Sequence, residues 1–329
     1  MSELSVIELD SPPDDFLPDE PEGAAFHKAF LASGIRGFQY SYLAIYRNGA
    51  RISIVPCFYG KFSLTALLPD GLLKRAFSWI KFSYACAGHP STDFGLIDGE
   101  ASSDVLALVN ATLSGKTSLI AYKGFPENLP LHGFSRVRGL PVAVLFTRGD
   151  YYAELDAHRR NDFHHKLAAA SALRIEAHST LPEHLLKPVY ELYLNTLAQA
   201  KIRFEILTPD YFRKIAGMGK FHLYFEGERL IGFLQMISKG RRANLKYMGM
   251  DHERNRLYYL YFAMCLHAIE AAMRQGCTRI ELGVSSYQAK RLMGCELIET
   301  CIYFRHNNPL ANWLLNKFKF LLEPAPDEL

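Results

Sequence analysis

Apolar and polar positions alternate along this chain in short runs, broken by Gly, Pro and Asn at close intervals. Phe38–Tyr46 alternates toward Arg47-Asn48-Gly49, and Arg51–Phe58 runs back. Asn-Gly between two β-rich runs predicts a tight hairpin, because both turn positions need positive φ. Further strands are expected at Phe94–Ile97, Ser118–Tyr122, Pro141–Phe146, Phe221–Glu226, Arg229–Ser238, Arg242–Met250, Thr278–Leu282 and Ile298–Arg305. Helices are expected at Ala24–Ala32, Pro69–Trp79, from Ser102 or Ser103 to Leu113, and at Asp156–Ala172, Glu183–Ala200, Leu257–Arg274 and Leu310–Leu322. Thr208-Pro209-Asp210 opens a short helix, with Thr as N-cap and Pro in the first turn. Residues 1–23, with four prolines among acids, read as an irregular lead-in.

Two stretches share one pattern. Tyr42–Val55 and Leu223–Leu234 each give a strand, a tight Gly turn and a second strand, downstream of a helix and followed by more strands, a helix and a strand. That repetition predicts two copies of one αβ fold, residues 1–149 and 150–329, with the boundary near Gly149-Asp150. A length of 329 residues, above the size at which one core stops growing, agrees with two domains.

Composition narrows the classes. Hydrophobic content of 49%, charged content of 22% and a net charge of +3 fit a globular protein and give no ground for a DNA-binding one. Six cysteines form no Cys-x-x-Cys pair, as expected of buried thiols in a reducing compartment. Lys74, Arg75 and Lys81 interrupt the most apolar region, 62–84, so no transmembrane span is expected, and a cytoplasmic protein is the simplest reading.

The stretch from Tyr247 to Arg305 organises the rest: strand, polar turn, helix, Gly, strand, short helix, Gly, strand. Tyr247-Met248-Gly249-Met250-Asp251, then Gly283-Val-Ser-Ser-Tyr-Gln-Ala-Lys290 and Gly294-Cys-Glu-Leu297, resemble the acyl-CoA half of the GNAT acyltransferases, and most their FemAB-like double-GNAT branch. Leu207-Thr-Pro-Asp-Tyr-Phe212 resembles the segment ahead of that family's meander. The resemblance covers roughly residues 150–306 and implies an α/β fold of mixed sheets in two tandem GNAT-like copies. It implies transfer of an acyl group from a thioester, on coenzyme A or an acyl carrier protein, to a small-molecule amine. Aminoacyl transfer from a charged tRNA stands second, and a non-catalytic binding pair third.

In such a site the end of the strand Arg242–Met250 offers backbone N–H groups to a developing oxyanion. The following helix start offers its N-terminus to the donor's pyrophosphate, which places Met250, Arg254, Asn255, Arg256, Leu257 and Tyr258 at the donor. Where the family carries a Gly-rich turn, this chain has His252-Glu-Arg-Asn-Arg-Leu-Tyr258, so Arg254 and Arg256 would supply charge in place of backbone contacts. Tyr287 is the candidate acid for the leaving thiolate, and Lys290 occupies the position of the family's acidic Tyr, so either residue serves. Glu281 and Tyr247 are candidates to take the amine's proton, against a solvated reading of Glu281.

Other constellations lead less far. His158, Asp162 and His165 share a helical face, but Arg159, Arg160, His164 and Lys166 crowd it with positive charge, so an exposed basic helix is expected and no metal site. The amphipathic stretch 310–322 is expected to pack on the core.

Overall fold

The computed structural model describes residues 3–63, 81–200 and 204–324. The helix expected at Pro69–Trp79 lies outside the described residues. In chain order the first elements are β1 (Leu4–Leu9), α1 (Ala24–Ala32), β2 (Gln39–Arg47), β3 (Ala50–Ser63), β4 (Lys81–Ala87), β5 (Asp98–Gly99) and α2 (Ser103–Ser114). Next come β6 (Leu119–Phe125), β7 (Ser135–Arg138), β8 (Val142–Phe146), α3 (Tyr151–Glu154), α4 (Ala157–Ala170), β9 (Arg174–His178), α5 (Glu183–Ala198) and α6 (Pro209–Lys214). The meander β10 (Gly219–Glu226), β11 (Arg229–Lys239) and β12 (Arg242–Met250) leads to α7 (His252–Tyr258) and α8 (Leu260–Arg274). The chain closes with β13 (Arg279–Gly283), α9 (Tyr287–Leu292), β14 (Glu296–Ile298), β15 (Cys301–His306) and α10 (Pro309–Lys317), followed by a 3-10 turn at Lys319–Leu322.

These elements form two compact units: residues 1–16, 36–141 and 299–329 in the first, residues 17–35 and 142–298 in the second. The units are therefore not the contiguous halves expected from the repeat. The first sheet runs β1-β2-β3-β4-β6-β15-β7, and the second runs β9-β10-β11-β12-β13-β8-β14. The two orders are the same. In each, the fourth and fifth strands are parallel and every other neighbouring pair is antiparallel. In each, the sixth strand comes from the other half of the sequence, β15 into the first sheet and β8 into the second. The duplication is real at the level of topology, with one strand exchanged in each direction. Val142-Ala-Val-Leu145 is buried on both faces, as an all-apolar run in a sheet interior must be.

Local differences have simple causes. Residues 4–9 are an edge strand paired with β2, because Leu4, Val6 and Ile52 pack on the first core before the acids and prolines begin. The strand expected at 94–97 does not form, and a two-residue strand, Asp98–Gly99, follows that segment. The strand expected at 298–305 is two strands in two sheets, divided at Glu299-Thr300. Helix 257–274 is likewise two, broken where Tyr259 takes a left-handed conformation (φ 48°). The hairpin at Asn48-Gly49 forms as read, with φ of 50° and 81°.

The second unit's core is built by Ala263, Met264, Leu266 and Ile269 of α8 packed against Ala243 and Leu245 of β12 and Ile280 of β13. Phe163 of α4 packs in the same cluster. Lys166, expected on a solvated face, is buried: its ammonium pairs with Asp162 and lies 4.2 Å from the centre of the Phe262 ring.

Candidate functional site

The apolar rhythm of β12 changes in mid-strand. Ala243 and Leu245 face the core, and then Met248 and Met250 do, a spacing of two, three and two. The register shows the cause: Met236 pairs with Leu245 and Gln235 with Tyr247, so Lys246 is an extra residue, a β-bulge. The bulge sends two consecutive side chains to the face away from the core. Lys246 meets Glu22 and the Phe26 ring (5.2 Å), while Tyr247 packs edge-on to Tyr193 and Tyr211 (6.1 and 5.4 Å).

The bulge is also where β12 leaves β13. Their parallel pairing covers only Arg242–Asn244 against Arg279–Glu281, yet β12 continues from Leu245 to Met250. The edge beyond Asn244 thus leaves backbone groups without a strand partner in β13. In the first unit, β4 stays paired with β6 to its last residue, Ala87, and β3 and β4 keep one register throughout. Among the described residues, only the second unit combines a bulge with a splayed parallel pair.

A cavity of about 430 Å³ lies at the start of α8, lined by Asn255, Arg256, Tyr259, Tyr261, Phe262, Ser286 and Ala289. Two of its lining residues, Tyr259 and Ser286 (φ 50°), are non-glycine residues at positive φ, and Ser285 (φ 106°) is a third beside them. Backbone strain of this kind persists only where surrounding structure enforces it, and it concentrates at functional sites. The Tyr261 hydroxyl is shut off from solvent, with Ser286 and Cys265 as its hydrogen-bonding neighbours, and burial pushes its pKa up. It therefore stays protonated.

The sequence-derived donor residues divide. Asn255 and Arg256 line the cavity. Asn255 Oδ1 accepts from Tyr261 N (2.8 Å), and Arg256 makes no ion pair among the described residues. Arg254 and Tyr258 turn instead to Glu226, at 3.1 and 2.8 Å. Leu257 is exposed, and Met250 is a core residue whose N–H donates to Thr196 Oγ1 (3.3 Å). The Asp251 carboxylate caps α7, accepting from Glu253 N and Arg254 N, so the amides nearest the strand end are already satisfied. The remaining lining fits part of an anionic, hydroxyl-accepting donor such as coenzyme A: one cation, one amide side chain and one phenol, in a volume ordinary for ligand sites.

The candidate acid–base residues are all engaged. Tyr287 is buried at the first turn of α9. Lys290 is buried too and donates to Gly283 O (3.0 Å), tying α9 to the end of β13. Glu281, a base candidate weighed against a solvated strand residue, is buried and paired with Arg279 (3.0 Å), and it forms the last pair of the two parallel strands with Asn244. The Tyr247 hydroxyl donates to Glu205 Oε1 (2.8 Å). Glu205 went unnoticed in the sequence, where it stands in an apolar stretch, Phe204-Glu-Ile-Leu207, with no periodicity to mark it. It has no ion pair among the described residues and faces a wall of phenols, Tyr193, Tyr211 and Tyr247.

Above this face the segment 17–35 closes the unit. Arg242 pairs with Glu20 and Lys246 with Glu22, Thr208 Oγ1 donates to Ser33 O (2.6 Å), and the Phe30 ring lies edge-on to Tyr211. His27 is fully buried there. Burial, then the nearby Lys246 charge, hold its pKa down to about 3.

No protein-family model matches the chain, and no curated protein matches it in sequence. Solved structures do match in fold. A C-terminal domain assigned to a lysylphosphatidylglycerol synthetase of Agrobacterium fabrum superposes with a TM-score of 0.59 at 11% identity, covering 92% of both chains. A tandem GNAT protein from the clavulanic acid biosynthesis pathway gives 0.53 at 13% identity, covering 93% of this chain and 99% of its own. This chain has a tandem GNAT fold. FemX matches as well, with a TM-score of 0.55 at 13% identity over 85% of this chain and 91% of its own. Six cysteines, all free and buried, leave the fold without a disulfide. Among the described residues, no helix is long and apolar enough to cross a membrane and no cluster of His, Cys, Asp and Glu could hold a metal ion.

Proposed function

We propose that this protein is an N-acyltransferase, and that its second unit moves an acyl group from a thioester to an amine. The observation that carries the reading is the bulged, splayed end of β12, which has no counterpart among the described residues of the first unit. The stretch of β12 that runs on past its pairing with β13 suits a thioester carbonyl, whose oxygen gains charge as the amine attacks. Asn255 and Arg256, with the start of α8, suit the donor's phosphates. Coenzyme A, when bound, supplies the thiol leaving group.

The amine is placed on the bulged face. Tyr247 relays its proton to Glu205, whose carboxylate accepts from the Tyr247 hydroxyl. A C–N bond forms, the C–S bond breaks, and the thiolate takes a proton from a phenol of the α8–α9 corner. Tyr261 is assigned that role because it lines the cavity beside Ser286, with Tyr287 the second candidate and Lys290 holding the turn.

Calorimetric titration with coenzyme A tests the placement. One molecule per chain should bind, and Arg256→Ala should weaken it by about 1–3 kcal/mol, the range for a charge-assisted hydrogen bond. No binding, or binding indifferent to Arg256, would overturn it. Transfer of an aminoacyl group from charged tRNA is a second reading, favoured by the likeness to a lysylphosphatidylglycerol synthetase domain and to FemX. Turnover with lysyl-tRNA and none with any acyl-CoA would decide for it.

A further inference from the structure

The helix expected to pack its apolar stripe on the core does the reverse. None of the residues of α10 is buried. Leu310, Trp313 and Leu314, with Phe318 and Phe320 beyond its end, are 67, 57, 43, 48 and 63% exposed. These are five of the fourteen large apolar side chains exposed among the described residues, gathered within eleven positions while the rest are scattered. Positions 310, 313, 314, 317 and 318 fall on one helical stripe. Asn312 Oδ1 accepts from His306 N (3.0 Å), the exposed Asn308 caps Leu310 N and Ala311 N (3.0 and 3.1 Å), and Asn316 is exposed. The half-buried side of α10 is thus Ala311, Asn312 and Leu315, while its larger apolar side chains face solvent.

Charge says what covers that face. Lys317 and Lys319 are the charges on and just after α10; no acidic residue stands between Arg305 and Glu323, and Asp327 and Glu328 follow. Arg305 is occupied with the Phe134 ring (4.8 Å). The Lys317 ammonium lies over the Trp313 ring at 5.2 Å, so an aromatic face and a cation sit at one level. Trp and Lys at the boundary of an apolar stripe are the composition of an interfacial helix, not of a protein-facing one, which would be depleted in Lys. Nine residues span about 14 Å at 1.5 Å per residue, half a bilayer core, so the helix lies along a surface and does not cross it.

We propose that α10 rests on an anionic membrane surface, with Leu310, Trp313, Leu314 and Phe318 among the acyl chains and Lys317 and Lys319 at the phosphates. The full-length protein is mixed with vesicles of phosphatidylcholine alone, or of phosphatidylcholine with an equal part of phosphatidylglycerol, and binding is read by co-sedimentation. Anionic vesicles should bind at least tenfold more tightly than neutral ones. Lys317→Ala with Lys319→Ala should weaken binding by about 30-fold, two charges each adding the increment of a basic residue near an anionic surface. Trp313→Ser with Leu314→Ser and Phe318→Ser should abolish it without lowering the melting temperature, because all three side chains are exposed. No binding to anionic vesicles, or binding unchanged in both variants, would overturn the proposal. So would a dimer seen by light scattering that the triple variant dissolves in the absence of any vesicle binding, which would make the face a contact between copies.

Discussion

Replacing Lys246 by Met should destabilise the protein by about 3–5 kcal/mol, the cost of leaving one member of a buried ion pair without the other. Both side chains of the Lys246–Glu22 pair are 4% exposed, so neither charge recovers water when its partner goes. Lys246 owes its position to the β12 bulge, and Glu22 brings down the segment ending in α1, so the pair couples an irregular strand to a residue 224 positions earlier. The double variant Lys246→Met, Glu22→Gln removes both charges together. It should recover at least 2 kcal/mol of the single variant's loss, because nothing charged then remains buried at the pair. Urea denaturation of the parent, both single variants and the double variant gives the coupling directly, provided the slope with denaturant stays constant. Additive losses, with the double variant as unstable as the sum of the singles, would show that the two charges do not need each other and would refute the reasoning.

Gly249→Ala should cost about 1–3 kcal/mol in the same denaturation assay, because a Cβ there would lie 2.5 Å from the Leu192 carbonyl carbon of α5, a backbone atom that cannot yield cheaply. Acid should weaken the fold. His27 and His222 are held neutral by burial, down to about 3 and about 4, while the unfolded chain protonates near 6.5. The unfolded state therefore binds more protons below pH 6.5. Stability is fully present above that pH and is lost as pH falls, by up to about 1.4 kcal/mol per pH unit for each histidine. His27→Leu should halve that slope between pH 6 and 4.5, and an unchanged slope would show that His27 is not the group. Glu205→Gln should lower turnover by about 10²–10⁴-fold with donor affinity kept, the span of a general base, and Tyr247→Phe should fall in the same direction. Tyr261→Phe tests the acid in the same assay, and parental turnover would return that role to Tyr287.

Much of this architecture was legible because it rests on local signals. The Asn48-Gly49 hairpin, the meander of β10 to β12 and the capped start at Thr208-Pro209 formed where turn chemistry and alternation put them. The strand exchange was not legible. Val142–Phe146 and Cys301–His306 read as ordinary strands, and nothing local tells a strand which of two equivalent sheets it will complete. The bulge had a signal that went unused: the core-facing positions 243, 245, 248 and 250 break the period of two at Lys246. Arg254 looked like a phosphate ligand from its place in the turn, but its partner, Glu226, comes from the β10–β11 hairpin 28 positions away. Glu205 was hidden for a similar reason, since its hydrogen bond with Tyr247 is tertiary. The stripe of α10 was read correctly as a stripe and wrongly as buried, because amphipathicity gives the direction of a face and not its neighbour.

The claim that the second unit transfers acyl groups is tested most directly by thiol release. The protein is incubated with a series of acyl-CoA thioesters, with and without a panel of primary amines, and free thiol is followed over time. The proposed chemistry predicts amine-dependent release that Glu205→Gln suppresses, and that substitution of Tyr84 at the equivalent strand of the first unit leaves intact. No amine-dependent release from any thioester, by a protein that still binds coenzyme A with one molecule per chain, would contradict it and leave a binding protein in the place of an enzyme.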